Sequence, residues 1–201
     1  MKNKTYNYYK ETEEVSIMEI KYPQIGICGL SCNLCPMYHM ESKSKCEGCK
    51  SETRMRLGCK FITCAVKKKG IEFCWECNES VKCEKWEKHR EAGKKGDSFK
   101  CYQKLDDDIG FIRNNGIEEF IRNQNKREEI LKEMLDHFNE GRSKSYYCIA
   151  VTVMEIRELE EALLKAKKDS NGLDVKGRSK VLHKGLDEIA NKKMYKLKLR
   201  K

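Results

Sequence analysis

Proline is nearly missing from this chain, with 2 residues in 201, and aromatic residues supply only 8% of it. With so little proline and only 13 glycines, a long disordered linker is not expected. No run of about 18 apolar residues occurs, so no helix is expected to span a membrane. The opening stretch, Met1 to Lys10, lacks the apolar segment of a signal peptide. The expectation is a protein of the reducing cytoplasm, with no membrane span. Hydrophobic residues reach 39% against 37% charged, which leaves a modest core among solvated helices.

Cysteine, by contrast, is abundant. The chain has 12, ten of them between residues 28 and 83. Disulfides are rare in a reducing compartment, so dense cysteines there point to metal, and a disulfide scaffold is set aside. The same stretch has few large apolar side chains, and metal is expected to take the place of core. The order is Cys28-x3-Cys32-x2-Cys35, Cys46-x2-Cys49, Cys59-x4-Cys64, Cys74-x2-Cys77 and Cys83. A C-x2-C turn brings two thiolates within reach of one ion at about 2.3 Å, and a second pair completes a tetrahedron. Gly48 inside one turn, and Gly29 after Cys28, supply the positive φ that such tight turns need.

The cysteines divide into two sets of five. Zinc takes four ligands, so one member of each set is spare. Cys32, Cys35, Cys46 and Cys49 are the expected first site. Cys64, Cys74, Cys77 and Cys83 are the expected second, with Cys59 competing; interleaved pairings stay open. Two structural zinc ions are the leading expectation, and an iron–sulfur cluster is the alternative, because four thiolates suit both. Cys28-x3-Cys32-x2-Cys35 also fits the cluster spacing of radical S-adenosylmethionine enzymes, but the alternating strand–helix barrel those enzymes need does not follow it.

From residue 105 onward the apolar period becomes helical. Ile109, Phe111 and Ile112 predict a short helix stopped at Asn114-Asn115-Gly116. Ile117 to Phe138 predicts a second, with a bend possible at Asn123–Arg127. A third is expected over about 146–168, and a fourth over about 177–195 with Asp174 or Ser179 as cap. The expected organisation is a polar arm at 1–22, a cysteine-rich module at 23–104 and a helical region at 105–201. The fold class is α-rich, a small α+β protein with a zinc-knuckle module on three or four helices.

Charge is uneven. The net charge of +10 falls to about +6 if two zinc ions each bind four thiolates. Residues 165–201 alone hold 13 Lys and Arg against 4 Asp and Glu. That basic tail could attract an anionic ligand or nucleic acid, although a solvated helix face is the plainer explanation.

Several of these motifs together resemble a prokaryotic family. Cys28-Gly29-Leu30-x-Cys32-x2-Cys35-Pro36, Cys46-x-Gly48-Cys49 and Cys64-Ala65-x4-Gly70-x3-Cys74-x2-Cys77 are similar to domain-of-unknown-function family 3795. Gly141-Arg142-Ser143-Lys144-Ser145-Tyr146-Tyr147-Cys148 and the ending Leu197-Lys198-Leu199-Arg200 share the likeness. Arg56 stands where that family often has a further cysteine, and Val81-Lys82 where it often has an aromatic-proline step. The resemblance implies a cysteine-rich, zinc-binding fold and no established activity.

Two further candidates lie outside the cysteine sets. Arg142, Ser143, Lys144 and Ser145 precede a helix, whose free amides, hydroxyls and cations could hold a phosphate or carboxylate; alternatively, Ser143 or Ser145 is a simple cap. Cys148 lies in the first turn, where the helix dipole and the neighbouring cations would lower its pKa and make it a catalytic nucleophile. A plain buried cysteine is the alternative. His89 is a possible substitute ligand, Trp75 and Trp86 are expected to shield the metal, and Cys101 is expected to be structural.

Overall fold

A computed structural model describes residues 18–97 and 102–199. Cys101 therefore lies outside the described residues. The chain order is α1 (Glu52–Leu57), α2 (Glu84–Lys94), α3 (Leu105–Asn115), α4 (Ile117–Phe138), α5 (Lys144–Val153), α6 (Ile156–Asp169) and α7 (Val175–Lys193). A π-helical segment covers Ile62–Lys68, and short 3₁₀ turns cover Cys32–Leu34, Cys74–Glu76 and Ser80–Lys82. The fold is α-rich, as expected. The β component is not: among the described residues the only pairing is one isolated bridge, Ile25 to Ser31.

Helix ends follow local chemistry. Gly116, at φ +84°, separates α3 from α4. The Asp174 side chain accepts from the Gly177 amide at 2.7 Å and starts α7. The single helix expected over 146–168 is two helices. Met154 turns extended, and Glu155 and Glu158 form a reciprocal capping box that begins α6. Arg127 donates to the carbonyls of Val151 and Met154, each at 2.5 Å, and satisfies the end of α5. The polar stretch Asn123–Arg127 therefore does not break α4, which runs through it.

The main core lies among α4, α5, α6 and α7, around Leu131, Met134, Tyr147, Met154, Leu159, Leu182 and Leu186. Leu34, from the turn between Cys32 and Cys35, packs into this core too. A second cluster joins Ile27, Cys28 and Leu30 to Phe61, Trp86, Leu105 and Ile109. A third joins Ile25 and Phe73 to Ile112 and Phe120. The cysteine segment thus has more apolar packing than its sequence suggests, because α2, α3 and α4 lend it their inner faces. None of the described helices is long and apolar enough to cross a membrane.

Candidate metal centres

The two C-x2-C turns of the first set face one another. The Cys49 amide donates to Cys32 Sγ at 3.5 Å. The Cys32 and Cys49 thiols are themselves hydrogen-bonded, which lowers the Cys49 thiol and raises Cys32. Cys35 neighbours Cys46 and takes a hydrogen bond from the buried Tyr102 hydroxyl. Gly48 adopts φ +98° as expected, and a Cβ there would lie 3.7 Å from the Cys32 side chain. Burial is the first cause of the raised Cys28 thiol, followed by its neighbours Cys49, Cys74 and Cys59. Cys28 therefore stands between the two sets.

In the second set, Cys64, Cys74, Cys77 and Cys83 line one cleft of about 360 Å³. Lys60, Lys69, Lys82 and Lys85 share its rim, and Phe61, Ala65 and Ile71 form an apolar wall. Lys69 Nζ donates to Cys77 Sγ at 3.1 Å and to Glu79 at 2.5 Å. The Cys74 thiol is pushed up to about 12, first by burial and then by Cys83, Cys64, Cys59 and Cys77. Cys59 is exposed, and its sulfur takes up the Ile62 amide at 3.5 Å. It does not line the cleft.

The donor chemistry fits a thiophilic metal, with sulfurs grouped from distant turns and cations beside them. Cys32, Cys35, Cys46 and Cys49 would hold one group, and Cys64, Cys74, Cys77 and Cys83 another. Among the described residues no three His, Cys, Asp or Glu side chains stand at positions set to hold a single ion. His89 is 9% exposed and lies edge-on to Phe61; burial lowers its pKa to about 4. Trp86 is buried, donates to the Cys28 carbonyl at 3.5 Å and carries Arg90 over its ring. Trp75 stacks on Phe73 at 4.1 Å.

The sets are tied together by a pair that spacing rules did not single out. Lys50, directly after Cys49, is buried against Glu72, two residues before Cys74, at 2.5 Å. Lys50 also donates to the Tyr22 carbonyl at 3.0 Å, while Glu72 accepts the amides of Lys21 and Tyr22. A lysine directly after the Cys46-x2-Cys49 motif is the only signal the sequence offers for it.

The other candidate site does not hold together. Arg142 is exposed, Lys144 reaches the His39 carbonyl at 3.3 Å, and Ser143 is buried. Ser143 occupies the N-cap position, but its hydroxyl donates to Glu140 at 2.6 Å instead of capping the helix. It also meets His183 Nε2 at 2.7 Å. A carboxylate thus takes up the hydroxyl that an anion would need. Cys148 is 1% exposed, and burial raises its thiol, with Cys35 as a further raising neighbour. A nucleophilic cysteine needs the opposite environment, exposed and depressed in pKa. The basic α7 instead lines a groove of about 700 Å³ with Lys176, Lys180, Lys184 and His183, beside Glu140 and Asp187.

Residues 24–88 match the family described as Protein of unknown function (DUF3795). The match covers about a third of the chain, its cysteine-rich segment. No curated protein and no solved structure matches the chain.

Proposed function

We propose that this chain is a metal-stabilised binding protein with two four-thiolate sites, Cys32/Cys35/Cys46/Cys49 and Cys64/Cys74/Cys77/Cys83. Zinc is the ion whose chemistry matches closed thiolate coordination at the first. Saturated sites leave no open position to activate water, so the metal serves the fold. The helical side would then do the binding, with the lysine row of α7 turned to an anionic ligand or partner.

The observation that carries this reading is the convergence of Cys64, Cys74, Cys77 and Cys83, spread over twenty residues, on one cleft with lysines at its rim. Native mass spectrometry of the full chain tests it. The expected spectrum shows metal at both sites, with one site lost in Cys74→Ser and the other in Cys32→Ser. A purified chain of bare thiols would refute it.

A further inference from the structure

We infer that the groove along α7 takes a single-stranded nucleic acid, with Lys176, Lys180 and Lys184 on its phosphates and His183 against a base. This rests on the reading of α7 as the binding face and names the polyanion that face takes.

The three lysines recur at every fourth residue, so they form one exposed stripe along the groove that climbs about 6 Å per step. A helix face that is merely solvated pairs its cations with acids four residues away, as Lys88–Glu84, Lys132–Glu128 and Arg157–Glu161 do elsewhere in this chain. In α7 no such pair forms. Among the described residues Lys176, Lys180 and Lys184 have no ion-pair partner, although Glu188 lies four residues beyond Lys184. Their neighbours Lys167 and Lys193 are paired, with Glu133 and Glu158. Lys176 also stands in the first turn of α7, the end where the helix dipole opposes a cation. Two acids of the groove are already engaged. Glu140 accepts the Ser143 and Ser179 hydroxyls at 2.6 and 2.7 Å, and Asp187 accepts the Tyr146 hydroxyl at 2.6 Å.

The His183 ring lines the same groove and stacks on Tyr146, with 4.0 Å between ring centres and 18° between planes. Its Nε2 meets the Ser143 hydroxyl at 2.7 Å, which fixes the ring. Single strands are held by this combination: phosphates track the cations of a groove while bases stack on aromatic rings, imidazole among them. A lipid surface or a bare polyphosphate has no base to stack there.

The test measures fluorescence anisotropy of a labelled deoxythymidine strand of about ten nucleotides on the full chain. Three phosphate contacts predict a salt slope of about −2, on the order of a twentyfold loss in affinity from about 50 to 200 mM salt. Lys176→Gln, Lys180→Gln and Lys184→Gln together should flatten that slope. His183→Ala should weaken binding at least about fivefold, and His183→Phe should restore it. Inorganic polyphosphate and phosphatidylserine vesicles should compete through the same lysines but bind more weakly than the strand. If either binds as tightly as the strand, or if a folded His183→Ala binds like wild type, the nucleic acid is overturned and an anionic-partner face on α7 remains. Should His183→Ala not fold, the competition between strand and polyphosphate decides. If no polyanion binds, or if the triple lysine variant binds like wild type, both this inference and the binding role of α7 are overturned.

Discussion

Lys50 and Glu72 form a buried ion pair at 2.5 Å that fastens the turn after Cys49 to the strand-like approach to Cys74. Burial lowers the Lys50 pKa to about 8 despite the carboxylate beside it. Lys50 also lies over the Phe73 ring, 3.8 Å from its centre. Breaking such a pair from one side leaves an uncompensated buried charge.

Lys50→Met should therefore cost about 3–5 kcal/mol. Glu72→Gln should cost a comparable amount. The double substitution should cost much less than the two together, because neither charge is then left alone. Urea unfolding of the three variants checks this. Additive losses would mean that the two side chains act separately.

Gly29 sits at φ +103° where the cysteine segment meets α3. A Cβ there would come within 2.8 Å of Leu105 Cδ1 and 3.2 Å of Trp75 Cζ3. Gly29→Ala combines backbone strain with overpacking, and a loss of about 1–3 kcal/mol is expected. Thermal unfolding measures it. An unchanged melting point would show that the contact between these parts is loose.

Asp108 is partly buried and its pKa is raised to about 7, first by burial, with Arg127 and Lys104 opposing and Asp107 and Asp97 adding. The folded state therefore binds its proton more tightly than the unfolded chain, whose Asp titrates near about 4. Its stabilising contribution is complete below about pH 4 and is lost as pH rises through about 7. Asp108→Asn should gain stability relative to wild type between about pH 5 and 8, on the order of 2 kcal/mol. Denaturant unfolding at the two pH values gives the difference. A gap that does not change with pH would contradict the assignment.

Cys148 should resist alkylation in the native protein at about pH 8 and react only on unfolding, because it is both buried and raised in pKa. Peptide mapping after brief iodoacetamide treatment reads this out. Rapid native labelling would restore the nucleophile that this burial removes.

The helical half was largely legible in the sequence. The apolar period of Ile117 to Phe138, the Gly116 stop and the Asp174 cap all recur in the structure. The break at Met154 was not legible, since the apolar stripe of α5 runs on in sequence and only the Arg127 contacts reveal the end. Helices α1 and α2 also went unanticipated: each is short, and Glu84–Lys94 is highly charged. For the candidate site, cysteine spacing indicated which residues gather at the second cleft. It carried nothing about Lys69, Tyr102 or the Lys50–Glu72 pair, because these contacts join residues whose partners the fold alone selects. Ser143 was legible as a helix-start residue but not as part of the Glu140–Ser179–His183 network, which closes over forty residues of chain.

Thermal unfolding before and after treatment with a strong chelator tests the central claim most directly. If thiolates clamping metal hold the cysteine segment in place, the stripped protein should melt at a markedly lower temperature. Returning metal should restore the original transition. A melting curve identical with and without the chelator, on protein shown to have carried metal beforehand, would contradict the account.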